Sequence, residues 1–294
     1  MHEALIKLSL IKNFSRGKVR DIYDLGDQLL IVTSDRISAF DVVFPNLIPD
    51  KGRILNGISV HFFKSTADIV PNHFISDKVE DYPAALHPFK DYLLGRSMLV
   101  KKTRVIPFEC IVRGYISGSA WSEYKRTGTV GSMMIAEDMQ ESQKFAKALF
   151  TPSTKASEGH DINISYREML SHMDPWIAEY LRDKSVALYN HAHELLKKEG
   201  IIVADTKFEF GSIGNKIYLI DECLTPDSSR FWDLESYEIG TSPTSFDKQY
   251  IRDYLNKSGW DKQSAAPTLP EDVVAKTREK YLAIYKIITG KELT

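Results

Sequence analysis

The sequence predicts an α+β fold in two lobes, a smaller and mostly antiparallel β lobe followed by a larger lobe of mixed helices and strands. Three observations carry that prediction. Up to residue 105, β-rich runs separated by turn residues dominate. Beyond it, a long helical pattern is followed by two strands joined by a hairpin signal. Strands and helices do not alternate as they do in the βαβ winding of a parallel sheet. The lobes are drawn as residues 1–105 and 106–294.

The elements follow in order. Gln28–Thr33 is a β-rich run preceded by the turn residues Asp24-Leu25-Gly26-Asp27, and Lys18–Tyr23 is its hairpin partner. A second run, Ser97–Lys101, leads through Pro107 into Glu109–Arg113. Gly118-Ser119 starts a helix running to Lys125. Asp174-Pro175 reads as an N-cap with proline at the first helical position. Ile177, Tyr180, Leu181, Leu188, Ala192 and Leu195 then recur at helical spacing until Gly200 ends the run. Ile201–Phe210 and Lys216–Glu222 are two strands around the turn residues Gly211–Asn215. Helical patterns return at Ser245–Asn256 and Glu271–Ile288, joined by the proline-containing connection Lys257–Pro270.

Composition narrows the function. A formal net charge of −2 provides no overall attraction to nucleic acid or an anionic membrane, so anionic ligands must be held by local clusters of lysine and arginine. Cys110 and Cys223 lie far apart, which argues against a disulfide framework and against a cysteine zinc site. The N-terminal residues mix acid and base before any apolar run, unlike a signal peptide. No stretch approaches the roughly 18 apolar residues that span a bilayer. A cytoplasmic protein is expected, without nucleic-acid or membrane partners.

The chemistry concentrates in a few segments. In Ala204–Gly211, Asp205, Lys207 and Glu209 share one face of a strand, and Thr206, Phe208 and Phe210 share the other. The next strand ends at Asp221-Glu222, bringing carboxylates back beside the first set. Converging carboxylates suit Mg²⁺, which shares oxygen ligands with nucleotide phosphates. A one-residue change of register exchanges Asp221 and Glu222, so spacing leaves that choice open. The turn Thr225–Arg230 presents Arg230. In Arg113–Trp121, the helix start at Gly118-Ser119 could hold a phosphate together with Arg113 and Ser119, or Ser119 could simply cap the helix. Arg16–Arg20 places Gly17 beside basic residues, where the backbone can approach a triphosphate; it is not a Walker A loop. His191 and His193 are two apart on a helix and point to different sides, so they read as structural or surface residues.

Seven ordered segments together resemble the SAICAR synthetase family of purine biosynthesis: GKVRDIY at 17–23, SDRISAFD at 34–41, ECIVRGYISGS at 109–119, FTPSTKA at 150–156, HDINIS at 160–165, ADTKFEFG at 204–211 and DECLTPDSSRFWD at 221–233. Length and connecting segments resemble the longer, yeast-like branch. The resemblance implies that ATP, the carboxylated aminoimidazole ribonucleotide CAIR and L-aspartate give SAICAR, ADP and phosphate. It implies two lobes with ATP in the cleft between them, a fold distantly similar to protein kinases, and a monomer.

Carried over by position, Gly17 and Lys18 would cover the ATP phosphates, and Lys101, Lys102 and Glu109 would line the nucleotide pocket. Glu209 and Asp221 would hold Mg²⁺, which selects Asp221 over Glu222. Arg113, Ser119 and Arg230 would grip the ribonucleotide phosphate, and Asp205 and Lys207 its sugar and carboxylate. Asp41, Lys155, His160 and Asp161 would lie near the nucleotide and aspartate. Lys207, Asp205 and Lys18 are the candidate catalytic groups. Ile162 stands where the family commonly has an acidic residue.

Two other readings use the same residues. A small-molecule kinase needs the glycine-lysine loop and magnesium carboxylates but not the second anion grip at Arg113, Ser119 and Arg230. A non-catalytic nucleotide-binding module would be expected to lack Lys18, Glu209 or Asp221, and all three are present.

Overall fold

The structure, a computed structural model, describes residues 2–155, 162–246, 248–262 and 264–293. The chain opens with a short helix, α1 (His2–Ile6), and the strands β1 (Asn13–Arg16), β2 (Arg20–Asp24) and β3 (Gln28–Thr33). The turn from β2 to β3 closes as its residues predict: Gly26 takes a left-handed φ of 104° and its N–H donates to Asp24 Oδ1 at 2.9 Å. After β4 (Arg36–Ala39) and β5 (Val42–Leu47), which form a separate antiparallel ribbon, come α2 (Lys51–Ser65), β6 (Phe74–Ser76), α3 (Lys90–Leu93) and β7 (Ser97–Lys101). The first sheet has the order β1-β2-β3-β7-β6 and is antiparallel throughout.

Helix α2 corrects the reading of the first hundred residues as mostly strand. Its Ile54, Leu55, Ile58, Phe62 and Phe63 are buried, and so are Lys51, Asn56 and Ser59 around the rest of its circumference. A helix enclosed on most sides shows no clean apolar stripe. Gly52 is needed for its seating, because a Cβ there would lie 2.2 Å from the Thr33 carbonyl oxygen.

The second sheet begins with β8 (Arg104–Tyr115), a longer strand than expected because it runs straight through Pro107. It is followed by α4 (Gly118–Thr127), the two-residue strands β9 (Thr129–Val130) and β10 (Met133–Met134), then β11 (Lys144–Phe150), β12 (Ser153–Thr154), α5 (Tyr166–His172) and α6 (Pro175–Lys197). Next come β13 (Ile201–Ile213), β14 (Lys216–Ile220), β15 (Ser229–Asp233), α7 (Gln249–Lys257) and α8 (Glu271–Thr289). The sheet order is β11-β8-β13-β14, with β12 also on β8 and β15 also on β13. The hairpin is tighter than predicted: both strands extend until only Gly214-Asn215 connect them.

Helix α6 starts as expected, with Asp174 Oδ1 accepting from the Trp176 N–H at 3.1 Å. It covers one face of β8 and β13, where Leu181, Leu188, Ala192 and Leu196 pack with Phe108, Cys110, Val112, Phe208 and Phe210. Leu196, not Leu195, makes the last core contact; Leu195 is exposed. His193 is buried between the rings of Tyr189 and Tyr115, while His191 is exposed, in keeping with structural and surface roles.

Two features join the sheets. Asn72 bridges Leu219 of β14 in parallel fashion, with the Leu219 N–H donating to the Pro71 carbonyl at 2.8 Å and the His73 N–H to the Leu219 carbonyl at 3.0 Å. Helix α8 returns to pack on α2, and α7 closes over the β4–β5 ribbon. No helix among the described residues is long and apolar enough to cross a membrane.

Candidate active site

The face of β8 and β13 turned away from α6 carries the charges. Their pairing is regular from Asp205 opposite Arg113 to Glu209 opposite Glu109. The period of two therefore sets Glu109, Ile111 and Arg113 beside Asp205, Lys207 and Glu209, while the alternate residues enter the core. The expected face of Asp205, Lys207 and Glu209 is thus present.

These residues form a continuous ladder of ion pairs. Arg113 Nη1 donates to Asp205 Oδ2 at 2.9 Å, and Arg230 donates to the same oxygen. Arg113 also reaches Thr151 Oγ1 at 2.9 Å and Ser119 Oγ at 3.4 Å. Further along, Lys207 pairs with Glu109 and, at 3.3 Å, with Glu209, and Lys155 pairs with Glu209. Burial works against charge on Lys207, but Glu209 and Glu109 outweigh it and raise its ammonium group. Burial likewise opposes the Glu209 carboxylate, yet Lys207 and Lys155 hold it below the usual range.

Helix α4 begins with Ser117 as its N-cap residue, which makes no side-chain capping bond. Ser119 does not cap; its hydroxyl faces Arg113. Gly118 has a φ of 55°, and a Cβ there would lie 2.3 Å from Arg230 Nη2. The glycine thus makes room for Arg230 against the helix start.

Strand β14 delivers Asp221 and Glu222 together. Asp221 adopts a φ of 66°, and this break in the strand turns both carboxylates toward one guanidinium. Arg20 Nη2 donates to Asp221 Oδ2 at 2.7 Å and Arg20 Nη1 to Glu222 Oε1 at 2.9 Å. The two acids are therefore not alternatives on opposite faces. Burial, with Glu209 and Glu222 nearby, raises the Asp221 carboxyl to about 6 despite Arg20. The donor set, all oxygen and partly shared with cations, fits a Mg²⁺ ion that completes its shell with phosphate and water. Among the described residues, no three acid, histidine or cysteine side chains are gathered to hold an ion by themselves.

Two adjoining clefts open on this surface. One, of about 320 Å³, is lined by Gly17, Lys18, Arg20, Glu209, Asp221 and Glu222 among others. The other, of about 230 Å³, is lined by Arg113, Ser119, Asp205, Ser229, Arg230 and Arg252 among others. Lys207 and Asp227 line both. Lys155 lines the first, and Lys18 pairs with Asp41 at its rim, both half exposed.

Lys101 and Lys102 are not among the residues lining either cleft: Lys101 lies over the Tyr218 ring at 5.0 Å and Lys102 pairs with Asp24 at 2.7 Å. Glu109 is buried beneath Lys207, where it accepts from Ser153 Oγ at 2.9 Å. His160 and Asp161 lie outside the described residues.

The sequence reading missed Arg20, Arg252 and a buried cluster around Asp227. Lys51 Nζ lies 2.8 Å and Lys248 Nζ 3.0 Å from Asp227 Oδ2, and Tyr281 OH donates to Oδ1 at 2.8 Å. Burial lowers the Lys51 ammonium group to about 8. Burial opposes charge on Asp227 too, but Lys248 and Lys51 hold its carboxyl well below the usual range. Arg20 lies within GKVRDIY at 17–23, but nothing local marks Lys51 or Lys248 as partners of Asp227.

The SAICAR synthetase family model matches residues 13–267. The phosphoribosylaminoimidazole-succinocarboxamide synthase of Thermodesulfovibrio yellowstonii is 51% identical over 280 residues, covering 95% of this chain and 96% of the relative. That of Geobacter sulfurreducens is 50% identical over 294 residues, covering 99% of each. Among solved structures, SAICAR synthase from Saccharomyces cerevisiae complexed with SAICAR aligns with a TM-score of 0.88 at 41% identity over 97% of each chain. A SAICAR synthetase in complex with ADP aligns with a TM-score of 0.70 at 25% identity, over 96% of this chain and 100% of that one.

Proposed function

The chain belongs to the SAICAR synthetase family, and we propose that its two adjoining clefts bind the nucleotide and the ribonucleotide of that family's reaction. ATP drives the joining of L-aspartate to the carboxylate of CAIR, giving SAICAR, ADP and phosphate. The observation that carries the assignment of clefts is Lys207, which lines both and lies between the acids of one and the arginines of the other.

A carboxylate repels nucleophiles until one of its oxygens becomes part of a leaving group. In the proposed sequence the γ-phosphoryl group passes from ATP to a CAIR carboxylate oxygen, and ADP leaves. The aspartate amine then attacks the carbonyl carbon, loses a proton and expels phosphate with that oxygen. Phosphoryl transfer of this kind depends on positioning and neutralisation of charge. Gly17 and Lys18 cover the ATP phosphates. Arg113, Ser119 and Arg230 hold the ribonucleotide phosphate, a forked recognition suited to guanidinium groups. Lys207 steadies the reacting carboxylate, and Glu109 acts through Lys207 by holding its ammonium group. Glu209 and Asp221, with Glu222 adjacent, would hold Mg²⁺, which when bound neutralises the phosphate charge.

The direct test is ADP release from ATP and Mg²⁺ in the presence of CAIR, with and without L-aspartate. Sustained turnover should form ADP and SAICAR together, and only with all substrates present. ADP formed from CAIR and ATP, with no amide when aspartate is added, would turn the reading to a kinase.

A further inference from the structure

The roles above leave the ion cluster at Asp227 without a task. Asp227 sits on the turn into β15, and side chains from three other regions meet it: Lys51 from α2, Lys248 just ahead of α7 and Tyr281 from α8. One carboxylate therefore faces two ammonium groups. Lys51 is 0% exposed and, with Tyr281, already engages both carboxylate oxygens. Lys248 brings the surplus charge, and it alone of these two lysines lines the cleft. Its side chain is 11% exposed, so it has lost most of its hydration, and among the described residues it shares Asp227 with Lys51 and gains no anion of its own. An ammonium group in that condition favours a second anion beside it.

The substrates leave one set of anions unplaced. The ATP phosphates have Gly17 and Lys18, the ribonucleotide phosphate has Arg113, Ser119 and Arg230, and the reacting carboxylate has Lys207. Among the described residues, none of the roles above gives the carboxylates of the amine donor a cation, although the family resemblance places Lys155 near them. Of the other lysines lining the same cleft, Lys18 pairs with Asp41 and Lys155 with Glu209. Resting on the ligase reading, we propose that Lys248 is a specificity-determining residue that receives one carboxylate of the dicarboxylic amine donor, its ammonium group positioned by the Lys51–Asp227 pair. That pair is a firm anchor, because moving Asp227 away would strand Lys51 as a buried, unpaired charge.

The test varies each of the three substrates in turn with K248M and K248R, and uses succinate as a competitive probe of the aspartate site. In K248M the aspartate KM and the succinate inhibition constant should rise together by about tenfold or more, as expected for loss of a charge-assisted contact. The KM values for ATP and CAIR should stay close to those of the parent, and K248R should recover most of the loss. An unchanged aspartate KM, or an equal rise for all three substrates, overturns the assignment. Should K248M not fold, K248Q carries the same comparison, since it keeps a donor without the charge. A parent protein that forms no amide from aspartate would instead sink the ligase reading, so the two failures are distinguishable.

Discussion

Gly118→Ala tests the phosphate grip without altering any group assigned to touch substrate. The added Cβ would lie 2.3 Å from Arg230 Nη2, where ordinary contact needs about 3.5 Å, so the guanidinium must retreat by about 1.2 Å (3.5 − 2.3). Arg230 cannot retreat that far and keep both its ion pair with Asp205 and its approach to Ser117. Losing one charge-assisted contact costs about 1.5–3 kcal/mol, or roughly ten- to hundredfold in affinity. Alanine at a φ of 55° adds about 1–2 kcal/mol of backbone strain. Steady-state assays should therefore show a CAIR KM raised by about ten- to hundredfold, with the ATP KM little changed, and thermal melting a drop of several degrees. A variant that melts lower yet keeps the parent CAIR KM would refute the placing of Arg230 in the grip.

Three further outcomes are expected. Glu209→Gln and Asp221→Asn should each abolish ADP release while leaving the melting transition cooperative; full activity in either would remove that residue from the metal site. Asp227→Asn should cost about 3–5 kcal/mol at neutral pH, because it leaves Lys51 buried without its counter-charge. The Asp227 carboxyl is depressed in the folded state, so its contribution is in place above the unfolded value of about 3.9 and fades as pH falls below it. Urea midpoints should accordingly converge for parent and variant in acid, and a gap of constant size would contradict the ion-pair assignment. Gly52→Ala should lower stability by about 1–3 kcal/mol, since its Cβ meets the Thr33 carbonyl, a backbone group that cannot swing aside. A melting temperature equal to the parent's would show that α2 can shift.

Much of the site was legible because a strand imposes its own geometry. Asp205, Lys207 and Glu209 fall on one face by a period of two, and their pairing with β8 stays regular across the interval that matters, with bulges only outside it. The hairpin return of Asp221 could also be foreseen, but not the left-handed turn that brings Glu222 to the same arginine. The cluster at Asp227 had no local signature. Lys51 and Asp227 are 176 positions apart, and the members meet only because α2, α8 and the segment ahead of α7 pack around the turn into β15. Helix α2 itself was hidden by its enclosure, since polar Lys51, Asn56 and Ser59 interrupt the apolar spacing yet are buried with it.

The hydrogen bonds that Leu219 donates to Pro71 and accepts from His73 tie two sheets together. They form a spine: β14, which leads into Asp221 and Glu222, is laced there to the segment entering β6. A widening of the cleft lined by Gly17 and Asp221 that leaves this spine intact falls on the margin that carries Gly17 and Lys18. That margin is closed by the half-exposed Lys18–Asp41 pair, a contact worth little in water and easily exchanged for a phosphate. Traffic of nucleotide and product would then pass over the glycine loop while Asp221 and Glu222 stay seated.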